Sequence, residues 1–244
     1  MELLGVPLDP RSTAESIAEI FAAFDHEEGC THVVTLNPEY VMAARRDPAF
    51  LAAIGRADLI LADGAGVVAA ARLLGVADIG RLTGVEIVER LADRGVPLFL
   101  LGAKPGIAEA TSAKLLERSS DARIADFWSD GSPDRADDDE SIRRIVASGA
   151  GVIAVAYGAE GQVHWIDRNQ ARLDTAGVRL AVGVGGSFDY ISGAVARPPG
   201  FVRRAGLEWL WRLVREPWRW RRQLALPQFA LLVISARIRQ GFKR

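Results

Sequence analysis

Short apolar runs rich in Val, Ile and Leu alternate along most of this chain with stretches of helical period. Runs of that kind are strands buried on both faces, and interleaving them with helices gives a parallel sheet covered on both sides. The pattern predicts strands near residues 3–6, 32–36, 59–61, 97–101, 123–127, 152–156 and 179–184. Ser12 or Thr13 can cap the first helix, Pro38 suits the first turn of the second, Thr83 precedes another and Pro105 opens the one after Gly102. The expected architecture is α/β, a Rossmann-like doubly wound and mostly parallel sheet over residues 1–195, with a helical appendage over 196–244. At 244 residues, 49% of them hydrophobic, the chain can bury the core this requires.

The formal net charge of -1 conceals a division between the two parts. The tail from Arg197 onward holds 12 of the 30 basic residues but only two of the 31 acids, Glu208 and Glu216, which makes it +10 and everything before it −11. It also holds Trp209, Trp211, Trp218 and Trp220. Leu207, Leu210, Trp211, Val214 and Trp218 share one helical stripe beside Arg212, Arg215, Arg219 and Arg222, and Pro217 should bend or break that helix. Such a tail meets an anionic partner, and three readings stay open: lipid headgroups, nucleic acid, or a phosphorylated small molecule.

In open parallel sheets, ligands bind beyond the carboxyl ends of the strands. The residues there are Thr35-Leu36-Asn37, Asp63-Gly64, Gly102-Ala103-Lys104, Gly158 to Gln162, and Gly185-Gly186 with Asp189. Glycine ahead of a helix exposes backbone N–H groups that favour a diphosphate, which makes Gly102, Gly185 and Gly186 candidate contacts. No G-x-G-x-x-G follows the first run and no G-x-x-x-x-G-K-[ST] occurs, which disfavours nicotinamide-binding and ATPase chemistry. Asp63 ends an apolar run, so burial would raise its pKa toward that of a useful base; the competing role is a cap on the helix at Ala65. Asp137, Asp138, Asp139 and Glu140 charge a helix start, and His26, His32 and His164 are scattered, so a metal site is not expected.

Several stretches resemble the WecG/TagA/CpsF family of bacterial glycosyltransferases: TLNPEYVMAARRDPAF, LILADGAGVV, RLTGVEIVERL, LFLLGAKPG, GVGGSFDYISGAVARPP and GLEWLWRLVREPWRWRR. The resemblance implies inverting transfer of N-acetylmannosamine, its uronic acid or a related hexose from UDP to a polyprenyl-diphosphate-linked saccharide, with no metal or other cofactor. By the same resemblance Asp63 is the general base, with Thr35 beside it as the second catalytic residue. Asn37, Arg81, Gln162, Gly185, Gly186 and Asp189 then bind substrate, and Arg212, Arg219 and Arg222 close over the diphosphate. Where the family usually shows P-x-Q-E-x-W, this chain has Glu160 and Val163 around a retained Gln162 and Trp165, a departure that bears on the donor sugar. The lone Cys30, the lack of a secretory signal and the absence of a run of roughly 20 apolar residues give the expected location. It is cytoplasmic, peripheral at an anionic inner membrane face, with a homo-oligomer also open. A nucleic-acid-binding protein and a non-catalytic UDP-sugar binder are the alternatives.

Overall fold

The structure is a computed structural model that describes residues 1–26, 29–217 and 220–241. Its first strands, β1 (Glu2–Leu3) and β2 (Val6–Pro7), form a small antiparallel hairpin in place of the single strand expected at residues 3–6. Leu4 and Gly5 both take left-handed φ values, 55° and 86°, so the chain reverses where a strand would continue. Leu3, Val6 and Leu8 are nevertheless buried against the main body.

The other strands are β3 (Thr31–Leu36), β4 (Leu59–Ala62), β5 (Pro97–Gly102), β6 (Arg123–Trp128), β7 (Val152–Ala156) and β8 (Leu180–Gly183). All are parallel, in the order β4-β3-β8-β7-β5-β6. Their alternating side chains divide the core in two. Val33, Leu61, Leu98, Leu100, Val152 and Val182 pack with α1 (Thr13–Asp25), α5 (Gly84–Asp93), α6 (Ile107–Arg118) and α9 (Ser187–Ile191). On the opposite face, Val34, Leu36 and Ile60 meet α2 (Pro38–Ala44), α3 (Pro48–Gly55) and α4 (Ala65–Leu73). Phe99, Ile153 and Val155 on that face meet α7 (Asp138–Ser148) and α8 (Ala159–Thr175). The sheet is therefore doubly wound.

Local chemistry fixes the helix starts. Ser12 with Glu15 and Thr83 with Glu86 form capping boxes for α1 and α5, and Asn37 caps α2 ahead of Pro38. α6 begins two residues later than expected: Pro105 lies in the preceding turn, and Gly106, left-handed at φ 79°, is its N-cap.

The tail forms α10 (Gly200–Arg204), α11 (Glu208–Arg215), α12 (Trp220–Gln223) and α13 (Ala225–Gly241). α11 stops before Pro217, as the missing N–H and the restriction on the preceding residue require. α13 packs on α2 and α4 and contributes Phe229 and Val233 to their core. Burying two such side chains stabilises the attachment by about 1.5–3 kcal/mol each. The rest of the tail turns apolar groups outward: Phe201, Leu207, Trp209, Leu210, Val214 and Trp220 are all exposed. Trp211 is the half-buried member of that stripe, and its indole N–H donates to the Ala196 carbonyl at 2.9 Å. Trp218 lies outside the described residues. Among those described, no helix is long and apolar enough to cross a membrane.

Candidate functional site

The carboxyl ends of β3, β4, β5, β7 and β8 open into one cleft of about 860 Å³, where the rule for open sheets places a ligand. The tail supplies the facing wall. Thr35, Asn37, Asp63, Arg81, Gln162, Gly185, Gly186, Asp189, Arg212 and Arg222 all line this cleft. Arg219 lies outside the described residues.

Asp63 follows β4, and its backbone N–H donates to the Leu36 carbonyl at 2.8 Å, which holds the end of β4 beside β3. Gly64, at φ 100°, takes the N-cap position of α4 without a side-chain bond, so Asp63 is not that helix's cap. No hydrogen bond ties up its half-buried carboxylate among the described residues. Burial pushes its pKa up to about 7, the negative charge of Glu208 adds to the rise, and Arg81 opposes it. A carboxylate that exchanges its proton near neutral pH and faces an open cleft has the properties of a general base.

Neighbouring groups are held by the protein itself. The Thr35 hydroxyl donates to the Gly183 carbonyl at 2.8 Å, joining the ends of β3 and β8, and Asn37 accepts from the Tyr40 N–H as helix cap. Gln162 is fully buried: its amide oxygen accepts from the Gly185 N–H at 2.9 Å, and its amide nitrogen donates to the Tyr40 hydroxyl. The side chain thereby pins the glycine turn after β8 to α2. Tyr40 is itself buried, which pushes its phenol pKa up, with Asp63 contributing to the rise.

Each guanidinium lining the cleft holds a carboxylate. Arg81 stands 3.4 Å from Glu208, Arg222 3.2 Å from Glu39, and Arg197 2.7 Å from Glu89. Arg212 is the most enclosed, 2.6 Å from Glu216 and 3.1 Å from Asp189, with its guanidinium carbon 5.1 Å from the centre of the Tyr190 ring. Burial alone would lower its pKa, yet Glu216, Tyr190 and Asp189 together hold it above the ordinary value. Gly186 has no side chain for a reason: a Cβ there would meet the Arg212 guanidinium.

Gly102 stands apart from the other candidates. It is absent from the cleft lining; it has φ 90°, and a Cβ on it would run into the Tyr157 ring at 2.7 Å. Close packing against the Tyr157 ring accounts for glycine at this position. The two departures in the Gln162 segment also lie away from the cleft lining, since Val163 is 1% exposed within the core and Glu160 is exposed on α8.

Sequence reasoning placed Lys104 and Glu39 at strand ends without giving them a role, and it missed Tyr190 and Trp209 as cleft residues and Glu208 and Glu216 as partners of Arg81 and Arg212. Lys104 is the one cleft cation without a carboxylate partner among the described residues. A signal did exist for the last pair: the only two acids in a strongly basic tail are the two that hold arginines at the cleft.

Comparison with known proteins places the chain in a family. The family model described as glycosyl transferase WecG/TagA/CpsF matches residues 1–243. An N-acetylglucosaminyldiphosphoundecaprenol N-acetyl-beta-D-mannosaminyltransferase of Bacillus spizizenii is 34% identical over 207 residues, covering 83% of this chain and 78% of the relative. A protein of the same name from Bacillus subtilis is 32% identical over 207 residues, with the same coverage of 83% and 78%.

Proposed function

Because the chain belongs to the WecG/TagA/CpsF family of glycosyl transferases, we propose that it moves N-acetylmannosamine or a related hexose from UDP to a saccharide linked to polyprenyl diphosphate. Against the alternatives of a nucleic-acid-binding protein and a non-catalytic UDP-sugar binder, family membership favours the enzyme. One observation carries the rest: a carboxylate with a pKa raised to about 7 faces the same cleft as the guanidinium groups of Arg81, Arg212 and Arg222. The names of the two relatives support both the sugar and the lipid-linked acceptor.

In this reading Asp63 takes the proton from the acceptor hydroxyl as its oxygen bonds to the anomeric carbon. The bond from that carbon to the phosphate oxygen breaks, and its electron pair leaves with UDP. A single displacement inverts the anomeric centre. Negative charge grows on the departing diphosphate, and Arg212 and Arg222 are the groups that would receive it by exchanging their carboxylates for phosphate oxygens. Lys104 would add a cation that needs no such exchange. Charge neutralisation by these side chains is the role assigned here in place of a metal ion. Thr35 and Gln162 act as positioning residues, Thr35 holding the end of β8 at Gly183 and Gln162 the glycine turn at Gly185 that follows it.

The exposed apolar groups of α10–α12 among arginines support peripheral attachment to an anionic membrane, where apolar side chains enter the interface and basic ones meet headgroups. The decisive experiment offers a panel of UDP-sugars to the protein with a polyprenyl diphosphate saccharide as acceptor, with and without a chelator. Transfer from UDP-N-acetylmannosamine that survives chelation is the expected result. Transfer only from other nucleotide sugars, or only with added metal, would overturn the corresponding part of the reading.

A further inference from the structure

The cleft has two chemically different ends. Near Asp63 it is charged, but away from it the walls are helix faces without a single charge. On α4, Gly66, Ala69 and Leu73 recur at i, i+3 and i+7; on α13, Leu226, Ala230 and Ile234 recur at i, i+4 and i+8. Both sets line the same cavity as Asp63, and Phe229 and Val233 lie beneath them in the core. Two helices packed through larger side chains would close on each other. Here Ala69 and Ala230 are too small to fill the space, and a furrow stays open, with Leu73 46% and Ile234 50% exposed along it.

Water gains nothing from such a surface, and neither a uridine diphosphate nor a sugar hydroxyl has apolar area to match it. The furrow is continuous with the end of the cleft that carries the cationic side chains, and α4 starts two residues after Asp63, so it begins beside that carboxylate and runs along a helix of about 13 Å. The ligand suited to both ends is an amphiphile with a diphosphate head and a hydrocarbon tail. We propose that the furrow between α4 and α13 is the subsite for the hydrocarbon chain of the lipid-diphosphate acceptor. The proposal rests on the reading that the acceptor is lipid-linked and adds that this protein, and not only the membrane, holds the chain.

The test compares two acceptors that share one diphosphate-linked sugar, one on a long isoprenoid and one on a short water-soluble alkyl chain, in solution without vesicles. The ratio of kcat/KM for long over short acceptor is measured for the protein and for Ala69→Phe and Ala230→Phe, both at exposed positions where a ring would fill the furrow. The protein should favour the long acceptor, and each variant should cut the ratio by about tenfold, the factor that roughly two methylene groups kept from apolar contact represent. An unchanged ratio, or no preference in the unaltered protein, overturns the subsite. So does an unchanged ratio accompanied by an altered sedimentation coefficient, which would make the furrow a contact between copies of the chain. Should both variants fail to fold, inhibition of the unaltered protein by pyrophosphate, geranyl diphosphate and farnesyl diphosphate decides: inhibition must strengthen with chain length, and equal inhibition overturns the proposal. If the unaltered protein glycosylates neither acceptor, the failure belongs to the functional reading; if it glycosylates both equally well, only the subsite falls.

Discussion

Arg81 and Glu208 meet at 3.4 Å across the cleft and join the loop between α4 and α5 to the first turn of α11. Both charges act on Asp63: Glu208 raises its pKa, behind the larger effect of burial, while Arg81 lowers it. Glu208→Gln removes a raising charge and leaves Arg81 freer to lower the pKa, so both consequences have the same sign. A base works when ionised, and Asp63 gains its charge as pH rises through about 7. The acid limb of the kcat/KM profile should therefore inflect near 7 and move to lower pH in Glu208→Gln. A limb that stays in place, or moves up, would separate Asp63 from the titrating group.

Asp63→Asn keeps the shape of the side chain but cannot accept a proton. Turnover should fall by about 100-fold to 10,000-fold, the range that a general base supplies. Binding of UDP, followed by calorimetry, should be retained, because the guanidinium groups that face the diphosphate are untouched. Transfer at an unreduced rate would remove Asp63 from the chemistry.

Gly102→Ala places a methyl group against the Tyr157 ring in a left-handed backbone, and both effects destabilise. A loss of about 1–3 kcal/mol is expected, visible as a Tm lower by several degrees. Affinity for UDP in the folded fraction should be unchanged, as the residue is no part of the cleft wall. A variant that melts normally but binds UDP weakly would restore Gly102 to the binding site.

Phe201 is 67% exposed and Val214 69%, on two helices of the basic tail. If these groups enter a lipid interface, Phe201→Ser with Val214→Ser should weaken sedimentation with anionic vesicles by about tenfold or more, from the transfer free energy of the two side chains. Raising the salt should weaken binding in both proteins, as screening acts on the arginines. Vesicle binding that ignores the two substitutions would assign them to another surface.

The six main strands were legible because each is a short apolar run, and every one begins and ends within one residue of the place that the run indicates. Residues 3–6 misled because Leu4 and Gly5 turn the chain, and a leucine in left-handed backbone carries no mark in the sequence. Asp63 was legible from a local pattern, an acid ending an apolar run ahead of glycine. Gly102 fitted the same kind of pattern, and nothing local announces the tyrosine ring from the end of β7 that requires glycine there. The pairing of Arg212 with Asp189 and of Arg222 with Glu39 depends on how the tail folds back over the sheet, information spread across distant segments.

Of the six strands, β8 is the last to be made, and it occupies an interior position with hydrogen bonds to β3 on one side and β7 on the other. A chain leaving the ribosome can assemble β3 with β4, and β5 with β6 and β7, but these fragments share no boundary until residue 180 has emerged. Until then each presents an open, apolar edge of the kind that nascent-chain chaperones cover. The arrival of four residues, Leu180–Gly183, welds the fragments and brings the Gly185 turn to Gln162 in the same event, so closing the sheet and forming the floor of the cleft coincide.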